Sequence, residues 1–216
     1  MEFADSPVTL FLIALNFVFS FLGFSNGTLV DKTIMWPYRV KREKQFYRMV
    51  TSGFLHADWM HLFFNMFTLY FFGSLLEKMF TVYGLGGKIS YLGLYFLALI
   101  ASDIPSYFKH QDDYNYRSFG ASGAVAAIVF AVILFDPWGS IYLYGAIKLS
   151  AAVYAVLYIV YCIYMGKQNN DNVNHDAHLW GSLFGLGFTI ALVAAIKPEL
   201  FQLILEELKH PSLFGR

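Results

Sequence analysis

The chain has 216 residues, of which 57% are hydrophobic, 19% aromatic and only 14% charged, and its formal net charge is zero. Soluble domains are about 45–50% apolar and about 25% charged, so this composition belongs to a membrane protein. The balanced charge implies no nucleic acid partner, and the single cysteine, Cys162, excludes an internal disulfide and a cysteine-based zinc site.

Crossing the hydrocarbon core takes about 20 mostly apolar residues. Six segments qualify, and together they make one domain covering residues 1–216. The first runs over about 8–24. Its leading charges, Glu2 and Asp5, are acidic where a secretory signal needs a basic start, so it reads as a membrane helix that is retained. The long connection 25–56 contains "MWPYRVKREKQFYR", aromatics mixed with bases, which suits a segment lying in the interface. The second and third helices are expected over 59–80 and 85–104. The fourth, over 119–135, is joined by the turn "DPWGS" to the fifth, over 141–165. The polar loop "GKQNNDNVNHD" then leads to the sixth, over 177–196, and residues 199–210 form a short amphipathic segment. Backbone polar groups find no partners in lipid, so the spans should be helices and the fold an all-α six-helix bundle.

Strongly polar residues inside such helices are costly and suggest a site. His61 and Asn65, in "HLFFNM", lie one turn apart on one face of helix 2. Ser122 sits between Gly120 and Gly123 in "GASG" at the start of helix 4. His178, Gly181 and Gly185 share a face of helix 6. Each group alone also fits ordinary helix packing by small residues and polar glue. Helices 2, 4 and 6, however, all begin on the same side of the membrane. Counting about 1.5 Å per residue puts His61, Ser122 and His178 about 5–8 Å below one face, with Asn65 a turn deeper. A hydroxyl, a base and further donors in one layer are what acyl transfer needs. His178 would serve as base to Ser122. His61, Asn65 and the Ser122 N–H would stabilise the oxyanion. No acid is placed to orient His178, so a dyad is expected.

With these motifs the sequence resembles the rhomboid intramembrane serine proteases. "GASG" is similar to the family's GxSG nucleophile motif, "HLFFNM" to its HxxxN oxyanion motif, and "AHLWGSLFG" to its AHxxGxxxG motif. The resemblance gives supporting roles to Gly120, Gly123, Gly181 and Gly185. It extends to Arg48 and His56 in "YRMVTSGFLH" and to Glu77 at the far end of helix 2. It implies a six-helix bacterial form in the inner (cell) membrane, which cleaves transmembrane segments of other proteins within the lipid bilayer. Two positions depart from the family pattern. Ala126 stands where an aromatic commonly stacks on the catalytic imidazole, and Tyr47 where Trp is common. The resemblance places the N-terminus in the cytoplasm and the site near the outer face, whereas the bases of the first loop, read alone by the positive-inside rule, would invert the molecule.

Two other classes compete: a catalytically inactive rhomboid-fold protein that binds membrane helices, and a metal-dependent protein using His56, His61, His175 and His178. Zinc sites need three or four ligands and no HExxH occurs, so no metal and no cofactor is expected.

Overall fold

The computed structural model describes residues 6–143, 146–168, 171 and 173–216. Glu2 and Asp5, positions 144–145 of the expected fifth helix, and positions 169, 170 and 172 of the polar loop lie outside the described residues.

The described chain is mostly helical. Helix α1 (Pro7–Ser25) starts on a proline, which fits the first helical turn because its missing N–H has no partner there anyway. The first loop folds into three short helices, α2 (Gly27–Thr33), α3 (Pro37–Glu43) and α4 (Arg48–Thr51), and a 3₁₀ turn, Ser52–Phe54. Helices α5 (Trp59–Thr68) and α6 (Ser74–Val82) are joined through a π-helical turn, Leu69–Gly73, into one 24-residue rod. Then come α7 (Gly87–His110), α8 (Ser122–Phe135), α9 (Ala151–Gln168), α10 (His175–Ile196) and α11 (Leu200–Leu208). Five of these rods, α1, α5–α6, α7, α9 and α10, are long and apolar enough to cross a membrane.

The sixth apolar helix, α8, is the centre of the bundle. From Gly123 to Phe135 only Leu134 escapes full burial. A helix that is apolar all round has no polar face to offer, so it is enclosed, here chiefly by α10 and α7. α1 and α9 are peripheral. They turn Phe11, Phe17, Phe21, Val156 and Val160 outward, where lipid is the natural solvent.

Buried polar groups fix the outer helices to this centre. The carboxylate of Glu77 accepts bonds from the Val8 N–H at 3.1 Å, the Thr9 N–H at 2.8 Å and the Thr9 hydroxyl at 2.9 Å. These N–H groups belong to the first turn of α1 and have no helical acceptor, so an anion from α6 caps them. At the other face the guanidinium of buried Arg48 donates to the carbonyls of Asp31 and Ile34, each at 2.8 Å, and so closes the end of α2.

The loops of this face are tied together. Met35 and Ser118 exchange two backbone bonds of 3.0 and 3.1 Å, and the Gly120 N–H donates to the Ser52 carbonyl at 3.1 Å. Lys41 and Arg42 of the first loop pair with Asp112, and Lys109 pairs with Asp176. Exposed pairs of this kind contribute little each, but they show that three loops cover one end of the bundle.

The span expected over 141–165 begins ten residues later. Its first part is an antiparallel hairpin, β1 (Ser140–Leu143) and β2 (Ile147–Ser150), with Ser140 opposite Ser150 and Ile141 opposite Leu149. A continuous apolar run does not distinguish strand from helix. The C-terminal tail decides here: the Ser150 N–H donates to the Leu213 carbonyl and the Arg216 N–H to the Trp138 carbonyl. These bonds occupy edge groups that would otherwise lack partners.

Candidate active site

Helix α5 starts where the Asp58 side chain accepts the His61 N–H at 2.8 Å, an N-cap that fixes His61 in the first turn. One turn on, the Asn65 amide donates to the His61 carbonyl at 3.0 Å. The Ala57 N–H points at His61 Nδ1 at 3.5 Å, an arrangement that favours the ring proton on Nε2. That edge of the ring faces the approach to α8. A Cβ on Gly120 would stand 2.9 Å from His61 Cε1, 3.1 Å from Nε2 and 3.8 Å from Ser122 Oγ. Gly120 also has φ of +128°, which side chains of L-residues rarely adopt, so conformation and space both require glycine there.

Ser122 is the first residue of α8, not a few residues inside it as the sequence suggested. The first in-helix bond runs from the Val125 N–H to the Ala121 carbonyl, so the N–H groups of Ser122, Gly123 and Ala124 are not used by the helix. The depth of Ser122 follows from length instead. Fourteen residues span about 21 Å at about 1.5 Å each, against about 30 Å of hydrocarbon, so one end of α8 has to lie below the surface.

Helix α10 starts at His175, with Asn174 accepting the Ala177 N–H at 3.0 Å and also the Ser106 hydroxyl. It crosses α8 at contact distance. A Cβ on Gly181 would overlap the Gly123 carbonyl, and one on Gly185 the Ala127 carbonyl. Gly123 is itself pressed on Ser102 of α7 and the Ala177 carbonyl. His178 precedes Gly181 by one turn on the same face.

Ser122, His178, His61 and Asn65 line one cavity of about 920 Å³, together with Tyr154 and Tyr158 of α9. Among the described residues, Ser122 and His178 make no direct hydrogen bond. In the free state such bonds are often long. The His178 ring lies stacked against Tyr158, with centroids 6.3 Å apart and planes within 18°. Ala126 lines the same cavity, and α9 supplies the aromatic that α8 lacks at that position. A second, much smaller cavity of about 20 Å³ lies behind Ser122, lined by Ser52, Ser102, Asp103 and Asn174 among others. That is room for about one water among polar groups.

Other expected residues lie outside the cavity. His56 is buried, its Nδ1 2.8 Å from Ser20 Oγ and its ring edge-on to His61 at 5.0 Å between centroids. Burial, helped by neighbouring His61, pushes its pKa down to about 3, so it is neutral. Arg48 and Glu77 hold the scaffold, as described above. Tyr158, Ser52 and Asp103 were not legible as site residues. Tyr158 offered only a polar group at i, i+4 spacing on α9, Asp103 a lone acid on α7, and Ser52 a small hydroxyl in the first loop, and none of these says which neighbour it will face.

Residues 43–195 match the protein-family model described as Rhomboid domain. The chain is 28% identical over 189 residues to RHOMBOID-like protein 12, mitochondrial, of Arabidopsis thaliana, covering 83% of this chain and 56% of that protein. It is 29% identical over 199 residues to the putative rhomboid protease YdcA of Bacillus subtilis, covering 89% and 91%. Rhomboid-like protein 11, chloroplastic, of Arabidopsis thaliana is 32% identical over 155 residues, 65% of this chain and 50% of that protein. The chain thus spans about half the length of the two plant relatives and most of the bacterial one.

Proposed function

Because the chain belongs to the rhomboid family, we propose that it is an intramembrane serine endopeptidase that cleaves transmembrane segments of other proteins. One observation carries the reading. Ser122 at the open N-terminus of α8 shares a cavity with His178, His61 and Asn65. His178 takes the Ser122 proton as Oγ attacks a backbone carbonyl, then returns it to the leaving amine. His61 Nε2–H, the Asn65 amide and the Ser122 N–H receive the oxyanion, where a single donor is commonly worth about 10²–10³ in rate. Water entering the cavity hydrolyses the acyl-enzyme. Neither metal nor cofactor takes part. A substrate helix hides its peptide groups in its own hydrogen bonds, so it must unwind locally to react. The chain is an integral multi-pass membrane protein, and we place it in a bacterial cell membrane on its similarity to the Bacillus subtilis relative over most of both lengths.

The test is cleavage of a transmembrane reporter in liposomes. Ser122→Ala and His178→Ala should each abolish it, and undiminished cleavage by either would refute the assignment. A rhomboid-fold protein that binds helices without cutting them is the second reading, favoured by the lack of a direct Ser122–His178 bond. Covalent labelling of Ser122 by a fluorophosphonate would dismiss it.

A further inference from the structure

Behind the catalytic layer, α9 and α10 bring together three groups with metal-binding chemistry. Ligand atoms of Cys162, His175 and His178 all lie within 4.8 Å of one another. Cys162 is 1% exposed and His175 4% exposed, so neither can swing into open solvent. His175 is also oriented. Its Nε2 stands 3.1 Å from both carboxylate oxygens of Asp171. An ionised carboxylate only accepts, so Nε2 carries the proton and Nδ1 keeps its lone pair. That Nδ1 is buried with no hydrogen-bond partner. A carboxylate fixing the far nitrogen of an imidazole, so that the near one is bare and aimed inward, is the usual outer shell of a metal-bound histidine.

We propose that Cys162, His175 and His178 form a binding site for a zinc-type divalent cation, and that its occupation switches the protease off. One thiolate and two imidazoles suit a borderline-soft ion. A lone cysteine rules out a site built on cysteines, but not one in which a single thiolate joins two histidines. Bond lengths of about 2.0–2.3 Å put tetrahedral ligands about 3.3–3.8 Å apart, so side-chain rotations of about 1 Å close the set. The thiol proton leaves to solvent on binding. His175 and His178 both line the large cavity, which gives the ion its path and leaves a fourth position for water. A metal on His178 occupies the lone pair that would accept the Ser122 proton. The site itself is independent of the protease reading; its inhibitory effect rests on it.

The test uses Co²⁺ as probe on the full chain carrying Ser122→Ala, so that no activity is needed. A thiolate-to-cobalt charge-transfer band saturating at one equivalent is expected, and it should vanish when Cys162→Ala is added. His175→Gln, as a second variant, removes a ligand and should weaken binding by more than the factor of about 10–100 that loss of an outer-shell partner costs. Absence of the band, or its survival without Cys162, would overturn the site. With the native chain, buffered free Zn²⁺ should suppress reporter cleavage reversibly, and Cys162→Ala should keep the basal rate and lose the sensitivity. Equal inhibition of both proteins would overturn the switch. Cobalt binding through Cys162 in a chain that cleaves nothing would refute the protease reading and uphold the site.

Discussion

Replacing Gly181 by Ala probes the contact on which the proposed dyad depends. The added Cβ would stand 2.8 Å from the carbonyl carbon of Gly123 and 2.9 Å from its Cα. Carbon atoms prefer about 3.5–4.0 Å, so α8 and α10 would have to part by about 1 Å. Both opposing atoms are backbone, so no side-chain rotation relieves the overlap. His178 rides on α10 one turn away, and Ser122 begins α8, so the separation falls directly between base and nucleophile. A misplacement of about 1 Å can cost about 10²-fold in rate, or about 2.7 kcal/mol of activation free energy. Overpacking should add about 1–3 kcal/mol of lost stability. Gly187 on the same helix is the control, because a Cβ there meets nothing within 4 Å. The assay is kcat/KM on a transmembrane reporter, with thermal unfolding in detergent alongside. Gly181→Ala should lose about 10²-fold and Gly187→Ala should match the parent. Near-normal cleavage by Gly181→Ala, or an equal loss in both, would refute the reasoning.

Gly120→Ala should abolish cleavage with little change in helix content, because φ of +128° and the His61 ring both oppose a side chain; a reporter assay with circular dichroism checks this. Glu77→Ala leaves the Val8 and Thr9 N–H groups without their anion and should cost about 1.5–3 kcal/mol, read as a lower unfolding midpoint with cleavage intact well below it. His56 gives a pH signature. It is held neutral down to about pH 3, whereas the unfolded chain takes up its proton near pH 6.5. The unfolded state therefore binds more protons between those values, and stability falls as pH drops through that window. At pH 4.5 the loss from this residue is about 2–3 kcal/mol. His56→Gln should show a shallower fall of unfolding midpoint from pH 7.5 to 4.5, and parallel slopes in the two proteins would dispose of the claim.

The spans were legible because lipid imposes one simple demand: apolar length with every backbone bond internal. The polar exceptions were legible for the same reason, since His61, Asn65, Ser122 and His178 could be there only at a cost. Their sharing of one side followed from counting helices. The start of α9 was not legible, because an apolar run fits strand or helix equally, and the C-terminal tail that pairs with the hairpin is remote in sequence.

Sequence alone therefore determined the class of the protein, its family and the polar residues that could share one layer of the proposed site. Tertiary structure decided the distances. It made Ser122 the first residue of a short, enclosed helix, so that its depth comes from where α8 ends rather than from how far in the serine lies. It assigned Tyr158 to the face of His178. It also placed Cys162 beside His175 and His178, a juxtaposition invisible along the chain because it depends on the rotation of α9 against α10. Periodicity specifies which residues share a face of one helix, but only packing fixes which two faces meet.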